Sequence, residues 1–104
     1  MNRMALDFHR LDNNELLFQM ENNKFEYLLE VFETFRQWTG IVIDQYGDLK
    51  LTIENQETIV KIIEKYIEIT DLNKNKLKTS IILEFKGFLI FLINKKIEIK
   101  LLGD

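Results

Sequence analysis

Apolar residues three and four positions apart give the clearest signal in the chain: Phe25, Leu28, Leu29, Phe32 and Phe35 recur at the spacing of one helix face. Asn22 or Asn23 stands where a cap belongs, and Thr39-Gly40 supplies a stop, with Gly40 placed for the left-handed residue that ends many helices. The spacing predicts a helix over 24–38. Glu26, Glu30 and Glu33 fall on its opposite, solvated face.

A second stripe, Ile59, Ile62, Ile63, Tyr66 and either Ile67 or Ile69, predicts another helix. Thr52 or Asn55 caps it, and it ends before Asp71-Leu72-Asn73-Lys74-Asn75. Between these helices, Ile41-Val42-Ile43 and the short alternation Leu49-Lys50-Leu51 flank a Gln-Tyr-Gly-Asp turn, read as a hairpin or an ordered loop.

The ends are less regular. Met4, Leu6 and Phe8 alternate as in a short strand, Asp12-Asn13-Asn14 forms a turn or a cap, and Glu15 to Met20 is read as a short helical stretch. In the last third, Leu77, Ile81, Phe85, Leu89 and Leu92 align on one side of a helix from about Lys76 to Asn94. Local propensity instead favours two strands, Phe88 to Ile93 and Ile97 to Leu101. The hairpin requires a two-residue turn without glycine and leaves Leu77 to Phe85 without a role, so a buried helix is preferred. A strand over 96–102 then follows and pairs with residues 4–10. The expected class is α+β, mainly α: three to four helices packed with a small two-stranded sheet formed by the terminal segments.

Length sharpens this to a single globular domain, residues 1–104, because a chain of this size has no room for a second core. The longest apolar stretch, Ile81 to Ile93, is broken by Glu84, Lys86 and Gly87 and falls short of the roughly 20 residues of a membrane span. The first residues meet Asp7, His9, Arg10 and Asp12 too soon for a secretory signal. A cytoplasmic protein without a membrane partner is expected.

Composition removes chemistry. The chain has no cysteine and one histidine, which leaves no thiolate nucleophile, no Cys-ligated zinc and no His pair for a metal. Its four glycines, Gly40, Gly47, Gly87 and Gly103, are too far apart for a phosphate-binding loop. Asp44, Asp48 and Glu54 lack the spacing of a calcium loop and read as turn and surface residues. His9, the one imidazole, has no nucleophile supplied by a motif, and the scattered Ser80, Thr34 and Thr39 do not form one. Hence no enzyme, no catalytic residues, no cofactor and no metal are expected.

The net charge of −3 conceals an asymmetry: residues 1–60 hold 11 acids against 5 bases, and residues 61–104 hold 6 acids against 9 bases. The basic part is all lysine, without the arginines that read bases or phosphates bidentately, and the acidic part repels phosphate, so nucleic acid is not expected as a partner. The acidic part fits a basic protein better. Carboxylates steer such an encounter and aromatics anchor it. Glu26, Glu30, Glu33, Trp38, Asp44, Tyr46 and Asp48 are the expected partner-binding residues, with Tyr27 a further anchor candidate.

The run Phe35 to Leu51, with Thr39-Gly40, Ile43-Asp44, Tyr46-Gly47-Asp48 and Leu51, together with Gly103-Asp104 after an apolar strand, resembles the small bacterial immunity proteins of polymorphic and contact-dependent growth inhibition toxin systems. The resemblance implies a role, not a residue list: a stoichiometric inhibitor that binds a cognate toxin domain, often a basic nuclease, and blocks its active site. A second expectation, from composition, is a scaffold module that buries its surplus of Phe and Ile in a homodimer or larger homo-oligomer.

Overall fold

The computed structural model describes residues 5–44 and 48–103. The elements in chain order are β1 (Ala5–Arg10), β2 (Leu16–Glu21), α1 (Asn22–Tyr27), α2 (Leu29–Thr39), β3 (Leu49–Leu51), α3 (Ile53–Ile69), α4 (Lys76–Lys95) and β4 (Ile99–Gly103). The class is α+β, mainly α. The sheet, however, has four antiparallel strands in the order β2-β1-β4-β3, not the two expected from the termini. The expected terminal pair is its centre, with Leu6 opposite Gly103 and Phe8 opposite Leu101.

The largest correction is at residues 15–20, read as a short helix and found as β2. Asn13 Oδ1 accepts from the Glu15 amide at 2.9 Å, and Asn14 takes the left-handed conformation at φ 63°, so the Asp-Asn-Asn turn closes a β1–β2 hairpin. A single helical turn bears a nucleation cost that strand pairing avoids. The hairpin also seats Phe18, whose ring stacks on Phe88 at 4.8 Å and meets the edge of Phe8 at 5.7 Å. On the far edge, Leu49 and Leu51 pair with Leu101 and Ile99, which makes β3 a short strand.

The expected helix over 24–38 is two helices, separated at Leu28, whose φ of −104° and ψ of 2° leave the α-helical region. Leu28 is fully buried there, whereas Leu29, expected in the stripe, is 49% exposed. Gly40 ends α2 at φ 79°, its amide bonded to the Arg36 carbonyl at 2.7 Å, as its position in the sequence predicts. Both expected caps of α3 act together: the Thr52 side chain accepts from the Asn55 amide and the Asn55 side chain accepts from the Thr52 amide, each at 3.1 Å. The last third is helix then strand, as preferred. Asn75 caps α4, and Lys96, left-handed at φ 56°, ends it.

All four helices lie on one face of the sheet. Leu6, Phe8, Met20, Leu51, Ile99 and Leu101 point into the core from the strands. They meet Phe32, Phe35, Ile59, Ile63, Phe85 and Leu89 from the helices. Phe85 links the layers, with ring centroids 5.7 Å from Phe8 and 5.8 Å from Phe32. Leu77, expected on the buried line of α4, is 59% exposed, and of the Ile67/Ile69 pair it is Ile67 that packs on the core while Ile69 is 77% exposed.

Candidate partner-binding surface

The surface begins with α2. Val31, Phe32 and Phe35 commit one side of the helix to the core, so Glu30, Thr34 and Trp38, four residues apart, must stand together on another. That row forms one wall of a groove of about 390 Å³, whose opposite wall is Ile62, Lys65, Tyr66 and Ile69 of α3. Trp38 is 53% exposed in the last turn of α2. It is therefore not part of the core.

At its Glu30 end the groove opens into a second cleft of about 500 Å³, bounded by Tyr66 of α3, the connection through Thr70, Asp71 and Leu72, and Lys78 and Thr79 of α4. Lys78 Nζ lies 3.2 Å from Glu30 Oε1 and 5.4 Å from the centre of the Tyr66 ring. Hydrogen bonding to the Tyr66 side chain first, and to Glu30 after it, holds the Lys78 ammonium above its ordinary range against partial burial, which acts the other way. One lysine therefore ties α2, α3 and α4 together where the two clefts meet.

The expected residues separate around this geometry. Glu30 and Trp38 share the groove. Glu33, one turn along α2, faces the other flank, where it accepts from Arg36 Nε at 3.0 Å beside Val42 and Ile43. That hydrogen bond keeps the Glu33 carboxyl below its usual range. Glu26 is exposed on α1, beyond the break at Leu28, and Asp44 and Asp48 are exposed as well. Tyr46 lies outside the described residues. Tyr27 is half-buried and packs on the core.

Sequence reasoning missed the α3 and α4 walls of the groove. The sequence carried no signal for them: Ile69 keeps the spacing of the Ile59-Ile62-Ile63-Tyr66 stripe, yet as the last residue of α3 it is 77% exposed. The charge of the surface also differs from a plain acidic face, because Lys65, Lys74 and Lys78 stand around Glu30 and Asp71. What the groove offers is an apolar floor, an aromatic at each wall and a rim of both signs, which is the anatomy of a protein-binding patch.

Among the described residues, His9 and Ser80 lie apart. His9 is on the outer face of the sheet, where its Nδ1–H donates to the Asn14 carbonyl at 2.9 Å and its cross-strand neighbours are Leu16 and Lys100. Ser80 is on the outer face of α4, across the core from it. Among the described residues no three His, Asp or Glu side chains gather as a metal site, and no helix is long and apolar enough to cross a membrane. No protein-family model matches the chain, and neither does any curated protein or solved structure.

Proposed function

We propose that this domain is a bacterial immunity protein that binds and neutralises a cognate toxin domain, with the α2–α3 groove and Trp38 as the contact surface. The observation that carries the reading is Trp38: a tryptophan 53% exposed on a helix wall, beside a groove with an apolar floor. Tryptophan is among the residues that most often dominate binding energy when an interface buries them. Glu30 shares the groove with Trp38, and Glu33, Asp44 and Asp48 are exposed carboxylates elsewhere on the acidic half of the chain, which favours a basic toxin such as a nuclease. The domain acts by occupying the toxin's site, in the cytoplasm where the toxin would act, and carries out no reaction of its own.

The test is direct. The purified domain is mixed with the toxin domain encoded next to it, and the complex is followed by size exclusion and by protection of growing cells. A one-to-one complex and rescue from toxicity are expected. Trp38→Ala should weaken the complex at least 30-fold, the scale of an aromatic anchor, with an unchanged fold. Glu30→Lys combined with Asp48→Lys should slow association, by an amount that shrinks with added salt. Absence of both complex and rescue would overturn the reading.

A further inference from the structure

Helix α4 is apolar on two sides. Its inner side carries Ile82, Phe85, Leu89 and Leu92, all buried against the sheet and the other helices. Its outer side, turned away from the sheet, carries Leu83, Ile90 and Phe91 at 44%, 39% and 51% exposure, with Gly87 among them. Ser80 and Asn94 bound this patch at either end, about 21 Å apart along the helix axis. A helix that is apolar all round is one that is covered on all sides.

Gly87 points to what covers it. Glycine is the least favourable residue apart from proline in a helix interior. Nothing in the domain requires it here, because a Cβ at this position would meet no atom within 4 Å. Its remaining use is to let another backbone approach closely.

We propose that the outer face of α4 is a homodimer interface in which two copies cross antiparallel at Gly87. The patch is self-complementary about that residue. A two-fold axis beside Gly87 sets the two glycines together, places Leu83 of one copy against Ile90 and Phe91 of the other, and brings Ser80 near Asn94, with the helix dipoles opposed. The charges agree: between Ser80 and Asn94 the face carries only Glu84, which lies 3.8 Å from Lys24 of its own chain. Such a face offers a basic or acidic partner little charge to recognise, because its one carboxylate is paired with Lys24 of the same chain. A single helix pair is smaller than the standard interface of about 800 Å² per side, so the dimer is weak and concentration-dependent.

Sedimentation velocity of the full chain from about 5 to about 500 µM tests this, a range that brackets a dimer of micromolar affinity. The wild type should move from monomer toward dimer. Gly87→Lys should stay monomeric throughout with a thermal midpoint no lower than the wild type's, since the site is open and the helix gains a better residue. Phe91→Glu should also stay monomeric, whereas Trp38→Ala should dimerise normally. A wild type that remains monomeric at about 500 µM, or a Gly87→Lys variant that dimerises like it, would overturn the proposal. So would a Trp38→Ala variant that loses the dimer, which would move the contact to the groove. Toxin binding by Gly87→Lys should be retained, which keeps the two surfaces separately testable.

Discussion

Gln56 is fully buried in the first turn of α3, and its Nε2 donates to two backbone carbonyls from different elements: Leu51 at the end of β3, 3.2 Å away, and Ile97 between α4 and β4, 3.0 Å away. Its Oε1 is buried without a hydrogen-bond partner among the described residues. Two substitutions separate these effects. Gln56→Leu removes both donated bonds, each worth about 1 kcal/mol net, but also removes the unpartnered oxygen, whose burial costs about 1–3 kcal/mol. The terms oppose each other, and the net change should be small, within about 1 kcal/mol of zero. Gln56→Glu keeps the oxygen and replaces the donor by a second acceptor aimed at two carbonyls.

A carboxylate there must either stay charged beside carbonyl oxygens or take up a proton. Burial and the two carbonyl dipoles raise the midpoint of such a carboxyl above its ordinary range; ionised, it donates no hydrogen bond, and protonated, it restores only one of the two. Gln56→Glu should therefore be less stable than the wild type by about 2–4 kcal/mol at pH 7.5. The sign with pH follows from the raised folded-state midpoint: the penalty is absent below the unfolded-state midpoint near pH 4.3 and grows as pH rises through the folded one. The wild type moves the other way. The Arg10 and Arg36 hydrogen bonds hold the Asp12 and Glu33 carboxyls low, so any stability these exposed groups contribute is present at neutral pH and lost as pH falls through their lowered midpoints. Urea unfolding of the three proteins at pH 7.5 and pH 4 reads the comparison. Equal stability of the Glu and Leu variants at pH 7.5, or a gap that does not narrow at pH 4, would refute the role assigned to the amide.

Two further changes probe the frame around it. Phe85→Ala removes the ring that joins Phe8 to Phe32 and should cost about 3–5 kcal/mol, a large share of what a domain of this size possesses, while Leu83→Ala on the outer face of the same helix should change little; comparable losses in urea unfolding would refute the assignment of inner and outer sides. Lys96→Gly relieves a left-handed residue at φ 56° and should stabilise by about 0.5–1 kcal/mol, a rise of roughly 2–6 °C in melting temperature, with an unchanged or lower midpoint as the contrary result.

Helix α3 and the end of α2 were legible because cap and period agree there: Thr52 with Asn55, and Gly40, each mark an end that the structure keeps, whereas Asn22 and Asn23, expected as caps, lie inside α1, with Glu21 in the cap position. Strand β2 was not, for a reason visible in its register: the pairing of β1 with β2 shifts between Phe8 and His9 and passes over Leu17. Leu17 and Phe18 both pack on the core at this bulge, so the alternation that announces a strand is broken where it was needed. The alternation of strand β3 was read, as part of a hairpin or ordered loop with Ile41-Val42-Ile43, but its partner is β4 and 41–43 form no strand. The break at Leu28 falls within a continuous helical spacing of apolar residues, which carries no mark of it. For the surface, Glu30 and Trp38 were found from one helix alone. Lys78, which lies 48 positions from Glu30 and neutralises it, enters only through the tertiary fold.

The competing readings of residues 76–102 share a cause with the proposed dimer. Phe88 to Ile93 has strand-like propensity because nearly every position is apolar, which is what a helix needs when both of its sides are to be covered. A helix exposed on one side would carry Lys or Glu at positions 83, 87, 90 and 91, and its period would have been plain. Instead Leu83, Gly87, Ile90 and Phe91 occupy them, so the ambiguity in the sequence and the uncovered face in the structure are one observation. If Gly87→Lys yields a protein with stronger helical periodicity, undiminished thermal stability and no self-association, the apolar outer side of α4 is explained by assembly and not by folding of the single chain.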